Sequence, residues 1–211
     1  MRLFYLAFQS TTDPVNTPYY WNSLKDPATP TTPLVDSTGV SAAFTLTTPW
    51  VWPTPNASGV NAVGTGDAAW VNQANISDET WTRASVGVNT YNLTGLDNSK
   101  RYSFQFFGSD QSAGTPILHV KINGVEKSYN ASLNSSQVIF FDDIAPSSGL
   151  ISWGVEQKTG TGAARLCAVR IDEHDYNPYS VDSITDPVES GGTITFTTSG
   201  FATLTAITTN Q

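Results

Sequence analysis

Two histidines, one cysteine and a scatter of carboxylates are all that the sequence offers for nucleophilic or acid–base chemistry near neutral pH. His119 falls within Ile117-Leu118-His119-Val120, a run of strand character, and reads as a core or edge histidine whose hydrogen bonds are met. His174 stands between Glu173 and Asp175 in a stretch that reads as a linker. A Ser-His-Asp triad needs its serine on a sharp turn beside an oxyanion hole, and no Gly-x-Ser-x-Gly pattern occurs. Gly108-Ser109-Asp110 only permutes the esterase Gly-Asp-Ser motif. Cys167 lies in the apolar run Leu166-Cys167-Ala168-Val169 and reads as a small core hydrophobe, because a nucleophilic thiol must be accessible and of lowered pKa. Being the single cysteine, it also leaves no intramolecular disulfide to form.

Carboxylates are more numerous but less telling. Asp142, Asp143, Asp172 and Glu173 follow or end predicted strands, yet a glycosidase needs two carboxylates across a cleft, and any acidic chain offers such pairs. No His/Cys cluster has zinc spacing, and no Gly-rich phosphate loop follows a strand and opens a helix. The chain is therefore expected not to be an enzyme and to need no cofactor. A structural calcium ion is the one exception weighed, because oxygen-rich loops in sandwich modules hold such ions. Its donors would be Asp36, Asp142 and Asp172. Asn-x-Ser/Thr sequons at Asn56, Asn75, Asn92, Asn130 and Asn134 are expected by chance in a chain so rich in Asn and Ser.

Aromatic residues are the more distinctive resource. Between Thr48 and Thr82 the chain is rich in Pro, Asn and Gly and carries Trp50, Trp52, Trp70 and Trp81, and so long a loop is usually functional. Indole faces stack on the flat apolar C–H faces of sugar rings, while Asn and Asp read hydroxyls. Trp50, Trp52 and Trp70 are the expected platform, with Tyr19 and Tyr20 behind them.

The elements that must position these residues are strands. Only 13% of the 211 residues are charged, about half the usual share, and the polar remainder is dominated by Thr, Ser and Asn, which suit strands and turns. Leu3 to Phe8 reads as a buried opening strand; it is too short for the apolar core of a signal peptide. On that reading the protein leaves the cell without a classical signal, is cut from a longer precursor, or is released inside an assembled particle. Asn16 to Pro33, with four prolines, cannot be regular sheet interior. Strands are then predicted over 40–47, 86–93, 101–108, 117–122, 125–129, 138–144, 149–155 and 164–171. Tyr102, Phe104 and Phe106 share one face, and Asn123-Gly124 marks a type I′ hairpin turn. Eight or nine short strands at near-regular spacing point to an all-β, two-sheet sandwich.

The ordered series Trp21-Asn22, Leu34 to Val40, Tyr91 to Tyr102, Phe106-Phe107-Gly108-Ser109, Ile122-Asn123-Gly124, Asn130-Ala131-Ser132, Phe141 to Pro146 and Ala168 to Ile171 resembles bacterial galactose-binding-like jelly-roll modules. Such modules are attached to carbohydrate-active enzymes or occur in surface and virion proteins. The resemblance covers residues 1–175 and implies a jelly-roll sandwich and carbohydrate binding. Where that family often carries a basic residue after Phe-Phe-Gly-Ser, this chain has Asp110, which argues against an anion-binding role.

Residues 176–211 read as a linker followed by a β-rich arm or a partial immunoglobulin-like module: Val181 to Ile184, Thr193 to Thr197 and Phe201 to Thr208 have strand character. Three strands in roughly 30 residues bury too little to stand alone, so pairing with the main sandwich or with neighbouring subunits is expected. With 18 acidic against 10 basic residues and no basic cluster, nucleic acid is excluded as a partner. No segment approaches the roughly 20 apolar residues of a membrane span. The expected function is an oligomeric, non-enzymatic virion or surface-assembly protein, such as a capsid decoration, fibre or adhesin subunit, located in a virion or at the extracellular face of a cell. Its partners would be other protein subunits and glycans. The alternative is a carbohydrate-binding module of a secreted carbohydrate-active protein.

Overall fold

A computed structural model of the chain describes residues 1–8, 20–24, 33–47, 59–72, 80–82, 87–112, 114–159, 161–176, 181–184 and 196–198. The chain divides into two units, Met1–His174 and Asp175–Gln211.

The first unit holds strands β1 (Arg2–Phe8), β2 (Trp21–Leu24), β3 (Thr45–Thr47), β4 (Thr80–Thr82), β5 (Asn89–Thr94), β6 (Lys100–Phe107), β7 (Ile117–Ile122), β8 (Val125–Asn130), β9 (Ile139–Ile144), β10 (Leu150–Val155) and β11 (Ala164–Leu166), and β12 (Ala168–Asp175) runs to its end. Ten of these form two five-stranded sheets, ordered β2-β1-β12-β6-β9 and β3-β5-β10-β7-β8, while β11 pairs with β4 alone. The protein is thus an all-β two-sheet sandwich. In the second unit β13 (Val181–Ile184) pairs antiparallel with β14 (Phe196–Thr198). The expected third strand of that region, Phe201 to Thr208, lies outside the described residues.

Alternation drives the packing. Phe4, Leu6 and Phe8 of β1, Tyr102, Phe104 and Phe106 of β6, and Val169 and Ile171 of β12 face inward and meet Tyr91, Leu93, Leu118, Val120 and Trp153 of the other sheet in one buried cluster. Full burial of each large side chain contributes roughly 1.5–3 kcal/mol. Tyr91 and Trp153, opposite one another across β5 and β10, stack with ring centroids 5.3 Å apart and planes 5° from parallel. The Asn123-Gly124 turn joining β7 to β8 has positive φ at both residues, 49° and 83°, as the sequence demanded.

The Pro-rich excursion holds β2, which pairs parallel to β1 at the edge of the sheet and so lies outside its interior, as expected. Two expectations about strands are corrected. The single strand expected over 164–171 breaks at Cys167 into β11 and β12, which belong to different sheets. Finally, β12 continues through Asp175, so His174 sits on a strand rather than in a linker.

Candidate functional site

The outer face of the first sheet is only partly covered. Residues 59–72, which include a 3-10 turn at Gly66–Ala68, fold over β1 and β2, and Ala68 and Val71 pack with Tyr5, Ala7, Trp21, Phe107, Cys167 and Ala168 in a second apolar cluster. Cys167 is buried there as a free thiol, matching its reading as a core hydrophobe. Backbone bonds from Gly64 to Val71, Thr65 to Ser135 and Ala68 to Ser136 hold the segment in place. A side chain at Gly64 would meet Ala68 O at 2.0 Å, so the fold of this cover needs glycine there.

Beyond the cover, β12, β6 and β9 present an open polar face, and three depressions along it adjoin at Asp67. The central one, about 340 Å³, is lined by Asp67, Gln105, Val138, Phe140 and Arg170. On one side the trough continues to Leu3, Tyr5 and Trp70, and on the other to Lys127, Ser128 and Gln137. Arg170 is fixed by Asp172, two positions along the same strand face, through bonds of 2.7 Å from Nε to Oδ1 and from Nη2 to Oδ2. Among the described residues, Gln105 Oε1 is buried with no hydrogen-bond partner, and so is Trp70 Nε1. Phe140 is 42% exposed. The arrangement offers a rigid cationic donor and an apolar aromatic face along one open channel.

Further along the same face, Ser103 donates to Asp142 Oδ1 at 2.5 Å and lies 3.2 Å from His174 Nε2. This is not a charge-relay order: the hydroxyl gives its single proton to the carboxylate, so the histidine is placed to donate to Ser103 rather than to activate it. Its structural task is visible in the register. Tyr102 pairs with Ile144 but Phe104 with Phe141, so β9 carries one extra residue, and Asp143 adopts φ 52° at that bulge.

The calcium donors expected from the sequence are not assembled. Asp36 Oδ1 accepts from Thr38 N, Thr38 Oγ1 and Val40 N, and its Oδ2 accepts from Arg2 Nε at 3.0 Å. Burial pushes its pKa up, but the bonds from Thr38, Val40 and Arg2 outweigh burial and bring it down to about 2. Asp142 is held by Ser103, and Asp172 by Arg170. Among the described residues, the one group of three His, Cys, Asp or Glu side chains with close ligand atoms is His119, Glu126 and Glu156 on the opposite sheet. His119 is also not the satisfied histidine expected: it is buried on the outer face of β7, and its Nδ1 has no hydrogen-bond partner among the described residues.

Of the expected aromatic platform, Trp50, Trp52 and Tyr19 lie outside the described residues. Trp70 lines one end of the trough, stacked on Trp21 with centroids 6.1 Å apart and 5.9 Å from Tyr5 rather than standing free. Tyr20 is half exposed and lies against Gly39. Sequence reasoning missed Arg170, Gln105, Asp67 and Phe140. A signal existed for Phe140: with Phe140 and Phe141 adjacent on a strand, one ring must face away from the core.

The fold and this face define a two-sheet β-sandwich with an open polar and aromatic trough on one sheet. No protein-family model and no curated protein sequence matches the chain. Among solved structures, it is similar to the ANXUR2 extracellular domain from Arabidopsis thaliana, with 11% identity and a TM-score of 0.53 over 92% of this chain and 46% of that one. That likeness is one of fold. Weaker similarity reaches protein YXIM of Bacillus subtilis (18% identity, TM-score 0.44, 85% of this chain and 42% of that one). An exo-beta-1,3-galactanase from Phanerochaete chrysosporium, solved with galactose, follows at 16% identity and TM-score 0.33, covering 63% of this chain and 30% of that one. The chain spans less than half the length of each of these structures.

Proposed function

We propose that this sandwich is a non-enzymatic, galactose-binding-like module that binds carbohydrate along the outer face of its first sheet. One observation carries the reading: the trough is continuous past Trp70, Arg170, Gln105 and Phe140, long enough to take successive units of a chain. Its chemistry fits sugars. Phe140 offers an apolar face for C–H stacking, and Arg170 with Asp172 a planar donor of neutral net charge. Binding on a glycan array, or retardation in a polysaccharide-containing gel, is the direct test. A protein that binds no glycan, or whose binding survives Phe140→Ala combined with Arg170→Ala, would overturn the assignment. Turnover of a glycoside would overturn the non-enzymatic part alone.

A second reading, compatible with the first, is membership of a surface or virion assembly as a decoration, fibre or adhesin subunit. Its support is β13 and β14: among the described residues they pair only with each other, and a two-stranded ribbon is marginal by itself, which favours completion by strands of another subunit. Light scattering on the full chain should then give an oligomer; a monomer at all concentrations would remove this reading and leave the first intact.

A further inference from the structure

We propose that His119, Glu126 and Glu156 form a binding site for a divalent transition cation of the zinc class, gated by Lys158. The site lies on the second sheet, and none of its three ligands lines the carbohydrate trough. It joins three elements: His119 from the middle of β7, Glu126 from the edge strand β8, and Glu156 from the segment leaving β10.

The geometry is close to that of a ligand set. One ligand atom from each residue lies within 4.8 Å of the others. His119 Nε2 is 3.3 Å from Glu126 Oε2, and Nδ1 is 3.7 Å from Glu156 Oε1. Nitrogen and oxygen ligands around a tetrahedral zinc ion are roughly 3.4 Å apart, given bonds of about 2.1 Å, so modest side-chain adjustment closes the set. Glu126 Oε1 is 3.3 Å from Lys121 Nζ, so an ion would share this carboxylate with Lys121.

Two further facts separate this cluster from an ordinary acidic patch. The His119 side chain is only 7% exposed, yet its Nδ1 makes no hydrogen bond to the described residues, a cost that a buried polar atom carries unless something satisfies it. Meanwhile Lys158 already holds a cation's position: its ammonium pairs with Glu156 and lies 3.6 Å from Glu126. Lys158 is 41% exposed on a flexible stem, so an ion of higher charge can push it into water. An imidazole among the ligands favours zinc and its later transition-metal neighbours over calcium and magnesium.

Titration calorimetry of the full chain with zinc chloride, paired with cobalt absorption spectra, tests the site. Zinc should bind with one-to-one stoichiometry, magnesium should not, and cobalt should give visible bands of nitrogen and oxygen coordination. Glu126→Gln, an exposed and structurally mild change, should weaken zinc at least tenfold, on the order of the loss seen when ligand-set partners are removed. Lys158→Gln should tighten it by about the same factor because the competing ammonium is gone. Absence of zinc binding, equal affinity in Glu126→Gln, or no gain in Lys158→Gln would each overturn the proposal.

Discussion

Arg170 and Asp172 face the same way on β12 and meet through two parallel bonds of 2.7 Å, Nε to Oδ1 and Nη2 to Oδ2. The fork is thereby held flat on the sheet, and one edge of the guanidinium remains for another acceptor, because this cation carries five donors in a fixed plane. Phe140 stands on the neighbouring side of the trough without a core role. Phe140→Ala should therefore leave thermal stability within about 0.5 kcal/mol of the parent. Carbohydrate retention, read by affinity electrophoresis, should fall at least tenfold in the same variant.

Asp36 makes the fold acid-sensitive in a defined window. Its native pKa of about 2 lies below its ordinary value of 3.8, so the folded state prefers the ionised form. The resulting stability is fully present above about pH 4 and is lost progressively as pH falls toward 2. Allowing for solvent screening, the loss amounts to about 1–2 kcal/mol. Urea unfolding of the parent and of Asp36→Asn between pH 2 and pH 6 should show the two curves separated at pH 6 and converging by pH 2. A constant separation would rule out this carboxylate as the source.

The sandwich was legible because its strands obey one period. Tyr102, Phe104 and Phe106 alternate with Ser103 and Gln105, and Asn123-Gly124 announces its own turn. Cys167 was readable for the same reason, as a small apolar residue in an apolar run. The trough was not, since it arises from residues on β1, β12, β6, β9 and β8 that only the fold brings side by side, and from a cover segment whose shape depends on backbone bonds to Ser135 and Ser136. Asp67 carried no local signal at all. His174 was misplaced because charged residues end strands more often than they continue them, whereas here the bulge at Asp142 and Asp143 gives Ser103 a partner on each side and keeps β12 paired alongside. Asp110, which argued against anion binding, proves to be occupied by a cation of its own chain.

That cation is Arg165, whose Nε lies 2.6 Å from Asp110 Oδ2 with the carboxylate 3% exposed. The pair ties the segment after β6 to β11, and Asp110 Oδ1 also accepts from Ser112 N. Removing one partner strands a buried charge, which costs about 3 kcal/mol or more. Arg165→Met should therefore lower stability by that amount in urea unfolding. Adding Asp110→Asn to it should recover part of the loss, because the uncompensated charge disappears; additive losses would show that the two residues act separately.

Gly108 is required for space rather than for conformation, and this can be separated experimentally. A methyl group at this position would lie 2.2 Å from Arg165 O and 3.3 Å from Leu118 Cδ2, with backbone rather than a flexible side chain as the obstacle. The same residue is locked from the other side: Gly108 N donates to the Tyr129 hydroxyl at 2.7 Å, and Gly108 O accepts from Tyr129 at 2.9 Å and from Asn134 Nδ2 at 2.9 Å. Movement away from Arg165 would break these bonds, whose hydroxyl is buried deeply enough for its pKa to be pushed well above the usual phenol range. Gly108→Ala should cost about 3 kcal/mol. Gly124 provides the contrast, with open space around it but φ of 83°. Gly124→Ala should cost only about 1 kcal/mol, from backbone strain alone. Thermal unfolding of both variants decides the matter: if Gly108→Ala is the milder of the two, the close approach of β6 to β11 does not constrain the fold.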